Sequence, residues 1–75
     1  MDRQTVERHL REAERIVALG EEHIRKQKKL LAELERDNHP TETAREILHN
    51  YENVQVTHVE HRDIIKRELA AVQPG

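Results

Sequence analysis

The 75-residue chain contains no cysteine, no tryptophan and no phenylalanine, and only one tyrosine, two glycines and two prolines. Serine is missing as well. Without cysteine there can be no disulfide and no thiolate metal site, and the redox compartment is left open. Without cysteine or serine two of the usual nucleophiles are gone, and glycine at positions 20 and 75 alone cannot build a phosphate-cradling loop. A catalytic site also needs a concavity that excludes water. The chain is therefore read as non-enzymatic and as needing no cofactor. No apolar run approaches the roughly 20 residues that span a bilayer, and the opening MDRQTVERHL lacks the apolar centre of a signal peptide. The expected setting is cytoplasmic, with no membrane partner.

What the chain does have is charge. Asp, Glu, Lys and Arg make up 37% of it against 35% for the apolar class, yet 13 basic and 15 acidic residues leave a net charge of only −2. The two signs are interspersed, which describes a solvated helical surface rather than a disordered polyelectrolyte or a polyanion-binding face. A chain this short buries little surface alone. With disulfides and thiolate sites excluded, oligomerisation is the expected support.

The apolar residues are periodic. Val6, Leu10, Ala13, Val17, Gly20, Ile24, Gln27, Leu31 and Leu34 follow one another at alternating steps of four and three, an unbroken heptad seam. His9, Ile16, His23 and Leu30 form a second row beside it, so the stripe is wider than one helix–helix contact needs. Past His39-Pro40 the pattern resumes with Ala44, Tyr51, His58, Ile65 and Val72 along its centre. Ile47, Val54 and His61 flank that centre on one side, and Leu48, Gln55, Arg62 and Leu69 on the other. Asn38 tolerates the left-handed conformation that ends helices, and Pro40 disfavours α conformation at His39. Thr41 or Thr43 can cap the next helix, and Thr43-Ala44-Arg45-Glu46 matches a capping box. The expected architecture is all-α: one domain, an antiparallel two-helix hairpin with helices over about 3–37 and about 42–72 and a turn at about 38–41. Each helix would be roughly 50 Å long.

Matching the seams across the turn predicts a register in which facing residue numbers sum to about 78. It sets Leu34 beside Ala44, Leu31 beside Ile47 and Leu48, Gln27 beside Tyr51, Gly20 beside His58, Ala13 beside Ile65 and Val6 beside Val72. Gly20 is expected to make room for His58, and Gln27 to hydrogen-bond Tyr51. Two helices sharing one interface would leave the third row of each uncovered, so a homodimer closing into a four-helix bundle is expected, with a partner protein engaging its outer faces or ends. The expected interface comprises Val6, Leu10, Ala13, Ile16, Val17, Gly20, Ile24, Gln27, Leu31, Leu34, Ile47, Leu48, Tyr51, Val54, His58, Ile65 and Leu69.

The run from His9 through Gly20-Glu21-Glu22-His23-Ile24, Gln27, Leu34-Glu35-Arg36-Asp37, Thr41, Ala44, Leu48, Glu52, His58 and His61-Arg62-Asp63 resembles a group of small, uncharacterised bacterial helical-hairpin proteins. The resemblance implies the hairpin fold and no established activity. The turn departs from that group's pattern of Gly followed by an acidic cap, having Asn38 and Pro40 instead.

Six histidines are the main compositional oddity. His58 and His61 lie one helical turn apart, and the register brings His23 within about a turn of His58. A twofold axis through the hairpin midpoints would gather the clusters of two protomers. Such a cluster could act as a zinc site or as a pH-sensitive interface. Imidazoles at i,i+3 spacing with no carboxylate or thiol at defined spacing are a weak metal signal, so no metal site is assigned. The expected role of His23, His58 and His61 is to fix register as polar seam residues. Glu46-Ile47-Leu48-His49 is a Glu-x-x-His element, but a di-iron bundle needs a second copy of it, and the chain has none. Arg25-Lys26-Gln27-Lys28-Lys29 is the densest basic run. Helical winding disperses its charges, and Glu21 and Glu22 precede Arg25 and Lys26 by four residues, which points away from nucleic acid.

Overall fold

In the computed structural model, which describes residues 2–72, helix α1 spans Arg3–Arg36 and helix α2 spans Glu42–Ala71. The two run antiparallel as a hairpin 59 × 14 × 12 Å, and no strand occurs among the described residues. Both helices stop one residue short of the expected ends.

The caps explain the boundaries. Asp2 sits in extended conformation before α1, and its Oδ1 accepts from the Thr5 backbone N–H at 2.7 Å, the side-chain N-cap. That bond, first among several causes, holds the Asp2 carboxyl below the ordinary aspartate value. At the other end, Asn38 adopts φ 57°, the His39 N–H donates to Leu34 O at 2.9 Å, and the Asn38 N–H donates to Glu35 O at 3.2 Å. These are the paired bonds of a Schellman motif, with Asn in the left-handed position usually given to Gly. Thr41 then precedes α2. Its hydroxyl makes no cap and instead accepts from Arg45 Nε at 3.1 Å. Of the two starts left open, the Thr43–Glu46 capping box does not form, because α2 starts at Glu42 and Thr43 already lies inside its first turn. Glu42 supplies the negative charge that suits a helix N-terminus.

The two helices meet along a thin core. Val6, Ala13, Val17, Ala44 and Ile65 are its buried apolar residues, and Gln55 is buried with them. Val6, Ala13 and Ile65 form one cluster against which Leu10, Leu69 and Val72 pack, as the expected register requires at the open end of the hairpin. Leu10, Ile16, Gly20, Ile24, Gln27, Leu31, Leu34, Leu48, His58 and Leu69 are half-buried, whereas Ile47, Tyr51 and Val54 are exposed.

The middle of the hairpin departs from the expected pairing. Gln55, not His58, fills the space left by Gly20: a Cβ there would stand 2.6 Å from Gln55 Cδ. The Gln55 amide donates from Nε2 to Val17 O at 2.9 Å, and its Oε1 lies 3.4 Å from His58 Nδ1. Gln27 does not pair with Tyr51; its Nε2 donates to Ala44 O at 3.0 Å. In both cases a glutamine reaches a backbone carbonyl of the facing helix, which has a lone pair to spare beyond its helical bond. His58, one helical turn on from Gln55, stays half-buried beside it.

Candidate functional site: an open face along the hairpin

One long face of the hairpin is left uncovered. On α1 it carries the row His9, Ile16, His23 and Leu30, and on α2 the row Ile47, Val54, His61 and Glu68; sevenfold spacing keeps each row on one side of its helix. Two shallow grooves lie between the rows. The first, about 450 Å³, is lined by His9, Glu12, Ala13, Ile16, His61, Ile64, Ile65 and Glu68. The second, about 320 Å³, is lined by Gly20, His23, Asn50, Tyr51, Val54, Gln55 and His58. Leu30 and Ile47 continue the rows toward the turn.

The face is apolar where a solvated surface would be charged. Leu30, Ile47, Tyr51, Val54 and Ile64 are all large hydrophobic side chains that remain exposed, Val54 at 52% of its accessible surface. Single exposed hydrophobics are common on any protein, whereas a contiguous strip of them marks an interaction surface. The wide stripe seen in the sequence accounts for most of this strip. Ile64 lay outside the rows read there, one step further round the helix, and Gln55 was placed on a flanking row without being recognised as the buried residue.

The histidines divide between the grooves. His23 and His58 line the second groove, and the His23 ring stacks on Tyr51 with centroids 5.5 Å apart and planes tilted by 32°. His61 lines the first groove, together with His9. The trio His23, His58 and His61 is therefore not gathered at one point within a protomer. Among the described residues, no group of three or more His, Asp or Glu is placed to hold a metal ion.

Charge enters the face at its open end, through Glu12 and Glu68, and borders it elsewhere. Glu12 pairs with Arg15, and Glu22 with Lys26 at 3.1 Å, both within α1. These guanidinium and ammonium partners hold the Glu12 and Glu22 carboxyls below the ordinary glutamate value. Lys26, one of the four cations of the basic run, is thereby engaged by its own helix. Neither helix is long and apolar enough to cross a membrane. Comparison with protein-family models, with curated proteins and with solved structures finds no match.

Proposed function

We propose that this chain is a non-enzymatic structural or protein-interaction module that acts as a homodimer, two hairpins closing over their open faces into a four-helix bundle. The observation that carries the proposal is the amount of surface left open. The hairpin exposes 5803 Å². A compact monomer of 8.9 kDa is expected to expose about 4,800 Å². The excess, about 1,000 Å², is comparable with the roughly 800 Å² per partner that a standard protein interface buries. The radius of gyration agrees, at 17.2 Å against about 11 Å for a compact 75-residue domain. A second copy supplies a face of matching length and chemistry, and the outer surfaces remain free for a partner protein.

Light scattering at micromolar concentration tests this directly, with a mass near twice 8.9 kDa as the expected result. Val54→Asp places a charge on the open face, away from the buried core, and should return the mass to that of one chain. A wild-type monomer at that concentration would overturn the proposal.

A second reading, a bundle that responds to protons, is favoured by the second groove, whose lining includes His23 and His58 but no carboxylate. Imidazole is the side chain that changes charge near neutrality, and the groove lining itself supplies no anion, although Glu22 on α1 stands close enough to His23 for the ring's charge to act on its carboxyl. The first groove differs, since Glu12 and Glu68 line it beside His9 and His61. Unchanged dimer affinity between pH 5.5 and pH 8 would dispose of this reading.

A further inference from the structure

The open face is not uniform along its length. His9, Ile16, His61 and Glu68 share the groove at the open end, and His23 and Val54 share the next. Matching the two sevenfold rows through these grooves sets His9 level with Glu68, Ile16 with His61, His23 with Val54 and, continuing the rows toward the turn, Leu30 with Ile47. The face thus runs from a polar level at the termini to a wholly aliphatic level at the turn. A second copy can lie on it in two symmetric ways: with its turn at the same end, so that each α1 faces the other copy's α2, or with its turn at the opposite end, so that α1 faces α1.

We propose, resting on the homodimer reading, that the two copies pack with their turns at the same end. In that arrangement each level meets its own equivalent. Leu30 of each copy faces Ile47 of the other in an all-aliphatic layer. His9 of each copy faces Glu68 of the other, an imidazole against a carboxylate. Ile16 faces His61, and His23 faces Val54. In the opposite arrangement every contact between rows is mixed, with His9 on Leu30, Ile16 on His23, Val54 on His61 and the Glu68 carboxylate laid over Ile47. Taking a carboxylate out of water against an aliphatic side chain costs several kcal/mol unless a partner is supplied. The opposite arrangement gains Leu19 against its own copy at the axis, and Glu12 near Lys26 at the edges. Glu12 and Lys26 already have partners on α1, and exposed ion pairs contribute only about 0.2–1 kcal/mol. The matched layers therefore decide the topology.

The chain's lack of cysteine makes single-site labelling clean. His39→Cys places a nitroxide at the turn and Gln4→Cys places one near the open end, both on exposed positions and in separate proteins. Pulsed electron paramagnetic resonance on each dimer should give an inter-label distance of roughly 20–35 Å, set by neighbouring helices packed 8–10 Å apart plus the label arms. A dimer mass with both distances approaching the 59 Å length of the molecule would overturn this topology and leave the homodimer intact. A monomer mass with no inter-label distance, in wild type and both variants, would overturn the homodimer itself and this proposal with it. Helicity by circular dichroism shows that each labelled chain is folded, and two independent sites keep the result from resting on one variant.

Discussion

Gln55 occupies the space that a side chain on Gly20 would need, and the same amide holds the Val17 carbonyl of the facing helix at 2.9 Å. Glycine inside a long helix costs about 1 kcal/mol relative to alanine. Here that cost is coupled to a buried hydrogen bond, because any Cβ at position 20 displaces the amide. Gly20→Ala and Gln55→Ala should therefore be non-additive. In the Gln55→Ala background, Gly20→Ala is expected to stabilise by about 0.5–1 kcal/mol through helix propensity. In the wild-type background it should be neutral or destabilising, giving a coupling energy of about 1–2 kcal/mol in a double-mutant cycle read by urea unfolding. Strict additivity would show that Gln55 does not depend on the glycine.

The second cross-seam glutamine supports the other end of the hairpin. Gln27→Ala removes the donor to Ala44 O and should cost about 1 kcal/mol for the hydrogen bond, less a few tenths regained as propensity. For a chain of this size the midpoint of thermal unfolding should fall by a few degrees, about 4–8 °C per kcal/mol. Hydrogen exchange should localise the loss, with faster exchange in the first turns of α2 and unchanged protection around Val6 and Ile65. Tyr51→Phe should be neutral by the same measurements, since Gln27 does not bond its hydroxyl.

The Asp2 cap makes a pH-dependent contribution of known sign. Its carboxyl titrates below the ordinary aspartate value in the folded chain, so the ionised form is favoured by folding. The contribution is fully present above the unfolded pKa, about 3.9, and is lost as pH falls through the lower folded value. Asp2→Ala should melt earlier than wild type at pH 7, and the two melting curves should converge below about pH 3. Asp2→Asn keeps a capping oxygen and should retain most of the helicity at pH 7. A gap between Asp2→Ala and wild type that persists undiminished at pH 2 would contradict the assignment.

The second reading rests on the groove around His23 and Tyr51, whose lining includes no carboxylate. On that reading dimer affinity changes between pH 8 and pH 5.5, as measured by sedimentation equilibrium. His23→Gln should remove most of that dependence. His39→Gln, at an exposed position in the turn, should leave it unchanged.

The periodicity of the chain made the two helices, the position of the turn and the open-end cluster of Val6, Ala13 and Ile65 readable, because a heptad seam admits few arrangements in a chain joined by a short turn. The same pattern marked the face that stays open. It could not specify the polar middle. Heptad spacing assigns residues to rows, but whether Gly20 receives His58 or Gln55 depends on which side chain finds a backbone carbonyl to bond, and that has no period. The choice between Thr41 and Thr43 as the start of α2 stayed open for a related reason. Several residues around Pro40 could cap a helix, and the Schellman closure at Asn38 fixed where the chain emerges and so which of them stood first.

The placement of the core has a consequence for how the hairpin closes. The turn brings Glu35 and Arg45 together at once, but these are exposed side chains that contribute little. The best-buried cluster lies at the far end, where Val6 packs near Val72, and joining positions that distant costs about 1.5 kcal/mol more loop entropy than joining those beside the turn. Such a hairpin behaves less like a zip that holds wherever it has been drawn than like a clasp. Half-closed forms gain little from their contacts, so opening at the free end should release the whole length of the seam together.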